Sequence, residues 1–203
     1  MQGILFKPDV WKAKLEVLEL GEAQTRRLDG LKEINLEPDR WRLEGQLTPD
    51  MWSFTDGEKH IGIKPPYHIG ETYYVKEAWR PDDTFKGGGI PRLGIQWGEG
   101  VEWKLGNPHQ EGKWRSSFFM PAWAARHFIT ITGIKAERVQ EITEEDAVVE
   151  GMTGRLYREA TDSLLTCSRD VFHWYWDSLD PRYPWDSNPW NFAYTLKLVE
   201  RDV

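Results

Sequence analysis

The chain has 203 residues, enough for one domain with insertions or for two small domains. Because 39% of the residues are hydrophobic and 12 are tryptophan, the chain can bury a core, which excludes global disorder. The formal net charge of −7 argues against sequence-independent coating of DNA or RNA, which requires clustered lysine and arginine. A pocket for a single nucleotide is still compatible with this charge.

The cysteine and histidine content predicts neither a disulfide nor a metal site. Cys167 is the single cysteine, and the five histidines are scattered without a ligand spacing, so we predict no metal and no other cofactor. No run approaches the roughly 20 apolar residues of a membrane span, and the amino terminus lacks a secretion signal. We therefore expect a cytoplasmic protein that does not contact a membrane.

The first elements are a short strand and an amphipathic helix. Residues 3–6 predict the strand, Pro8 begins the helix, and Gly21 ends it. The apolar face of the helix carries residues at i, i+4 and i+7, namely Trp11, Leu15 and Leu18. Residues 28–66 contain four prolines and no sustained periodicity, so we predict loops with one short strand pair.

The middle of the chain combines a strand with a long insertion. Residues 72–76 are rich in β-favouring side chains and predict a strand. Residues 80–115 include the run Gly87–Gly89 and predict a long loop or a hairpin insertion. Alternating Phe and Ile side chains over residues 128–134 predict another strand.

The last part of the chain is more regular. Thr143 and Asp146 have the spacing of a capping box, and Gly151 suits the end of the helix that it begins. Residues 171–179 predict an amphipathic helix. Alternation then predicts a half-buried strand with four residues on its inner face: Phe192, Tyr194, Leu196 and Leu198. Short strands with a few helices indicate the α+β class, with strands from both termini in one sheet.

Five sequence blocks resemble a known family. Residues 21–27, Gly-Glu-Ala-Gln-Thr-Arg-Arg, half-match the pattern G-x-K-T-x-T-R-R. The other blocks follow in the same order over residues 69–79, 120–126, 139–151 and 185–190. Together they resemble the ASCH domain family of the PUA-like superfamily, in its longer phage- and prophage-encoded form. The resemblance implies a single PUA-like domain over residues 1–203, a small β-barrel with flanking helices and insertions at about 28–66 and 80–115.

The resemblance also implies candidate catalytic residues. Thr25 matches the proposed nucleophile of the N4-acetylcytidine amidohydrolases in that family, and Glu150 matches a glutamate with an acid or orienting role. Glu22 stands where the family has the lysine that activates the threonine. Glu22 could act as the base instead, but a second carboxylate nearby would raise one of the two pKa values and change the mechanism.

Other residues are candidates for ligand binding. Arg26 or Arg27 could grip a phosphate through paired hydrogen bonds, because one of two neighbouring strand residues faces a pocket. Lys76 replaces a family arginine and either enters the site or points outward. Three tryptophans in the family-like blocks could stack on a base for about 1–3 kcal/mol each, although core packing is the commoner role. They are Trp79, Trp123 and Trp190.

These residues support more than one function. The first hypothesis is a pocket that binds a nucleoside, a nucleotide, or a base of a single-stranded or flipped nucleic acid. The alternatives are a hydrolase of the N4-acylcytidine or RNase type that uses Thr25 and Glu150, and a phage assembly accessory protein. Because Glu22 replaces the lysine, the sequence favours binding and predicts little hydrolysis.

Overall fold

The computed structural model describes residues 1–81, 101–105, 113–161 and 165–199. The described residues form an α+β structure with ten strands in three sheets and four α-helices, which confirms the predicted class. Within these ranges no helix is long and apolar enough to cross a membrane. The predicted glycine-rich loop at Gly87–Gly89 lies outside the described residues.

The strands are, in chain order, β1 (Gly3–Leu5), β2 (Glu22–Arg27), β3 (Arg42–Thr48), β4 (Met51–Thr55), β5 (His60–Ile63), β6 (Thr72–Lys76), β7 (Trp79–Pro81), β8 (Val101–Trp103), β9 (Phe128–Arg138) and β10 (Trp190–Leu198). The α-helices are α1 (Pro8–Leu18), α2 (Glu144–Val149), α3 (Gly154–Thr161) and α4 (Ser168–Asp177).

The main sheet has five strands in the order β1-β6-β9-β10-β2. The β1–β6 pair is parallel, and the other neighbours in this sheet are antiparallel. Both ends of the chain contribute strands to it, as predicted. The pairing of the described strands leaves the sheet open, with β1 and β2 at its edges, so it does not show the closed barrel that the resemblance implies.

The inner face of β10 follows the predicted alternation for three of the four residues. Phe192, Tyr194 and Leu196 are fully buried in the core beneath the main sheet. The prediction for Leu198 is wrong, because its side chain is 36% exposed. The pairing of β10 with β2 ends at Lys197, so Leu198 lies beyond the last residue that β2 covers.

The first insertion is more ordered than predicted. Instead of loops with one strand pair, it contains the three-stranded antiparallel sheet β3-β4-β5. The signal was weak because the β3–β4 register shifts twice, near Gly45 and before Thr48, and five of the seven β3 residues are exposed. In the second insertion the described residues include the antiparallel strand pair β7–β8.

The second half contains one longer strand and one helix that the sequence did not predict. β9 runs on to Arg138 through charged residues that carry no apolar alternation, and α3 begins at a glycine. The capping box at the start of α2 is confirmed, since the Thr143 side chain accepts from the Asp146 N–H and Asp146 accepts in return.

Candidate functional site

A cavity of about 740 Å³, which we call the first cavity, lies where β2, the N-terminal end of α1 and α4 meet. The loop from β1 to α1 and the turn after α4 complete its walls. Aromatic side chains line much of it: Phe6, Phe172, Tyr175, Trp176 and Tyr183. Walls of this kind suit a ligand with a flat, apolar body such as a nucleobase.

Three buried polar residues from three different elements line the first cavity. Lys14 comes from α1, Thr25 from β2 and Glu150 from the C-terminal end of α2, and they are 1%, 4% and 3% exposed. The structure therefore brings together Thr25 and Glu150, which the sequence named as candidates. It adds Lys14, which the sequence did not suggest.

Lys14 is held by oxygen atoms from two elements. Its Nζ donates to the Gln24 carbonyl and, at 2.6 Å, to the Glu150 carbonyl. It also lies 3.3 Å from Glu150 Oε2, which makes a buried ion pair. Charges buried to this extent are costly unless they are paired, so the pair requires the close approach of α1 to the end of α2.

Gly151 makes that approach possible. Its φ of +84° is a left-handed conformation that favours glycine, and it ends α2 directly after Glu150. A Cβ at this position would lie 3.2 Å from the Lys14 backbone nitrogen and 3.3 Å from its Cγ. Gly151, the residue that ends α2, therefore also allows the Glu150 side chain to lie beside Lys14.

The two peptide groups that flank Thr25 are fixed by these charged residues. Among the described strands β2 lies at an edge of the main sheet, and no other described strand pairs with the backbone groups on its free side. Lys14 binds the Gln24 carbonyl on one side of Thr25, and Glu150 Oε1 accepts from the Arg26 N–H at 2.8 Å on the other. Thr25 thus lies between the lysine and the glutamate along the edge of the sheet.

The environment of Lys14 brings its titration towards neutral pH. Burial lowers the pKa of Lys14 from 10.5 to about 8, although the neighbouring charge and hydrogen bond of Glu150 oppose this. The positive charges of Arg27 and Arg26 act in the same direction as burial and are part of this net lowering of the Lys14 pKa. A lysine with a pKa in this range can release its proton and act as a base under mild conditions.

Glu22, the predicted substitute for the catalytic lysine, lies elsewhere. Its carboxylate is 3.3 Å from Lys197 Nζ and accepts from the Thr132 hydroxyl at 3.2 Å, on an exposed part of the sheet. It does not line the first cavity with Thr25. In a strand, residues three apart point to opposite faces, so Glu22 and Thr25 diverge.

The two predicted phosphate-binding arginines differ. Arg26 is fully engaged inside the protein, with Nη2 at 2.8 Å from Glu137 and 3.4 Å from Asp146, and its side chain is 1% exposed. Arg27 lines the cavity with its guanidinium over the Phe6 ring at 4.8 Å, and it donates to the Leu5 carbonyl. Arg27 is therefore the better candidate for contact with a ligand.

The remaining candidate residues do not line the first cavity as the described residues form it. Lys76 lines a second cavity of about 320 Å³ and donates to the Phe118 carbonyl. Trp79 packs edge-to-face on Trp123 at 5.5 Å. Trp190 is buried and donates to the Pro38 carbonyl. The three tryptophans are thus placed for packing.

The charges around the first cavity are opposite to those of the whole chain. Of the described residues that line it, six are basic: Lys7, Lys14, Arg26, Arg27, Lys32 and Arg182. Three are acidic: Asp29, Glu150 and Asp180. A chain with a net charge of −7 therefore presents a locally positive cavity, which favours an anionic ligand.

The sequence contains a signal that singles out Lys14. It lies three residues after Trp11 and four before Leu18, on the apolar face of α1. A lysine at a core-facing position is unusual unless it is paired. The partner could not be located from the sequence, since Glu150 is 136 residues away.

No protein-family model, curated protein or solved structure matches the chain. The resemblance to the ASCH domain family therefore stays a prediction from the sequence blocks. The residues of the first cavity are the basis on which a function is proposed.

Proposed function

We propose that the chain is a hydrolase that removes the acyl group from an N-acylated nucleoside of the N4-acetylcytidine type, with Thr25 as the nucleophile. The observation that supports this most is the burial of the Lys14–Glu150 pair against the backbone on both sides of Thr25 in one cavity. The sequence resemblance contributes the substrate class. Lys14, supplied by α1, takes the role that Glu22 cannot fill.

The proposed reaction assigns each of these residues a role. The neutral Lys14 amine accepts the Thr25 hydroxyl proton as Thr25 Oγ attacks the acyl carbonyl carbon. The bond from that carbon to the base nitrogen breaks, the departing amine takes the proton from Lys14, and an acyl ester remains on Thr25. Water then attacks the ester and gives its proton to Lys14, which returns it to Thr25 as the carboxylic acid leaves. Glu150 positions Lys14.

We infer that the open α+β sheet is a PUA-like fold and that the protein acts in the cytoplasm, of a bacterial host if it is phage-encoded. The mainly antiparallel sheet with helices at its edge is compatible with this. No observation on the described residues favours the assembly-accessory alternative.

Turnover of N4-acetylcytidine tests the proposal. We expect the purified chain to release cytidine and acetate, with kcat/KM rising about tenfold per pH unit below pH 8 and levelling above it, because only neutral Lys14 can accept the proton. Chromatography of the products at several pH values measures both. Glu22→Gln serves as the control and should keep the same rate and profile. Absence of product at every pH would refute the hydrolase.

Binding without turnover is the second candidate. It is favoured by the hydrogen bonding of Lys14, whose three donors are directed at three protein oxygen atoms, so that the ammonium form has no donor left for a substrate. In that case the aromatic walls and Arg27 would hold a nucleoside or nucleotide. Native mass spectrometry of the purified chain would show such a ligand retained unchanged, and no product in the turnover assay.

A further inference from the structure

We propose that the ligand of the first cavity carries a phosphate group, which lies at the rim of the cavity against Lys7, Arg27 and Lys32. This rests on the proposed function for the nucleoside part and extends it, since it makes the substrate a nucleotide. The phosphate belongs either to a mononucleotide or to the backbone of a short single strand.

Some of the basic residues that line the cavity form ion pairs with carboxylates, and others do not. At its floor, Lys14 is paired with Glu150 and Arg26 with Glu137. At its rim, Arg182 is paired with Asp180. Among the described residues no carboxylate forms an ion pair with Lys7, Arg27 or Lys32, whereas two of the three acidic lining residues, Glu150 and Asp180, are paired with other cations.

The rim cations are placed to receive a ligand. Lys7 and Lys32 are exposed, and Lys7 Nζ lies 5.1 Å from the Tyr175 ring with a 3.2 Å hydrogen bond to the Ser178 hydroxyl. Arg27 is half-buried, and its Nε, which is itself buried, has no hydrogen-bond partner among the described residues. Arginine and lysine donors of this kind are the usual partners of phosphate oxygen atoms.

Helix α1 adds to the positive potential at the same place. Lys7, Pro8 and Val10 at its start line the cavity, the acidic Asp9 of the first turn does not, and no side chain caps its N-terminus. The N–H groups there carry partial positive charge and favour an anion. The reacting base would then point to the buried floor at Thr25, and the phosphate would remain at the solvent-exposed rim.

The separation of floor and rim makes the inference testable by binding alone. Calorimetric titration compares cytidine, cytidine 5′-monophosphate, inorganic phosphate and a five-nucleotide oligocytidine without terminal phosphate. We expect the monophosphate to bind about tenfold more tightly than cytidine, with a preference that weakens as salt increases. The double variant Lys7→Gln/Lys32→Gln should reduce the preference to about twofold or less, because it weakens binding of the monophosphate more than binding of cytidine.

The matched control is Lys12→Gln/Lys64→Gln, which removes the same charge from exposed positions outside the cavity and should keep the full preference.

Tight binding of the oligocytidine would identify a strand as the source of the phosphate. Tight binding of the monophosphate alone would identify a mononucleotide. Equal affinities for cytidine and its monophosphate, no binding of either, or equal binding of bare phosphate would overturn the inference. A phosphate preference without any hydrolysis would refute the hydrolase alone, and hydrolysis without the preference would refute the phosphate site alone.

Discussion

Replacement of Thr25 by valine is expected to lower kcat/KM for N4-acetylcytidine by at least about 10³-fold, because it removes the proposed nucleophile. Valine has nearly the same shape, and no group of the described residues hydrogen-bonds to the Thr25 hydroxyl. The fold and the affinity for cytidine should therefore change little. Product chromatography measures the rate, and circular dichroism with calorimetric titration measures the fold and the binding.

Two further variants complete this test. Thr25→Ser retains a hydroxyl and should keep measurable turnover. Thr132→Val removes a hydroxyl from β9 that contacts Glu22 outside the first cavity, and it should behave as the wild type. If Thr25→Val turned over at the wild-type rate, the ester mechanism would be wrong and water would have to attack the amide directly.

Local patterns account for the parts of the fold that the sequence predicted. The capping box at Thr143 and the alternation of Phe192, Tyr194 and Leu196 depend on neighbours in sequence, and the structure confirms both. The three-stranded sheet of the first insertion was missed because its strands are interrupted by shifts in register. The exposure of Leu198 depends on where β2 begins, since Glu22 is the β2 residue paired with Lys197, and no local pattern gives that position.

In the candidate site, too, some features were predictable from local sequence and others depend on distant parts of the chain. The position of Thr25 next to Glu150 was expected from the blocks of the resemblance, and both line the first cavity. Glu22 aligns with the family lysine in sequence. However, side chains alternate along a strand, so Glu22 and Thr25, which are three residues apart, point to opposite faces. The cation that binds the Gln24 carbonyl, one residue before Thr25, comes from another element, so only the packing of α1 against the end of α2 reveals it.

The Lys14–Glu150 pair has a structural role that must be separated from a catalytic one. It closes the free edge of β2 by binding the Gln24 carbonyl and the Arg26 N–H. A variant of Lys14 can therefore lose activity simply because the edge strand is disturbed. Measurements of stability are needed beside those of turnover.

We expect Lys14→Met to lower the free energy of unfolding by about 3–5 kcal/mol, because it leaves the buried Glu150 carboxylate without its main cation. The double variant Lys14→Met/Glu150→Gln should recover most of this loss, since a neutral amide oxygen can still accept from the Arg26 N–H. Lys12→Met changes an exposed lysine of the same helix and should stay within about 0.5 kcal/mol of the wild type. Urea denaturation of the variants provides the values.

The pH dependence of stability identifies the titration of Lys14 itself. The folded chain releases the Lys14 proton at about pH 8, whereas the unfolded chain retains it up to a pKa of 10.5. The contribution of Lys14 to the free energy of unfolding therefore rises with pH between these values and is lost as the pH falls through about 8. A shift of this size corresponds to about 3 kcal/mol.

The stability difference between wild type and the Lys14→Met/Glu150→Gln double variant should follow this rise. If that difference were flat from pH 7.5 to about 10.5, Lys14 would keep its ordinary pKa. In that case it could not serve as the base that Thr25 requires.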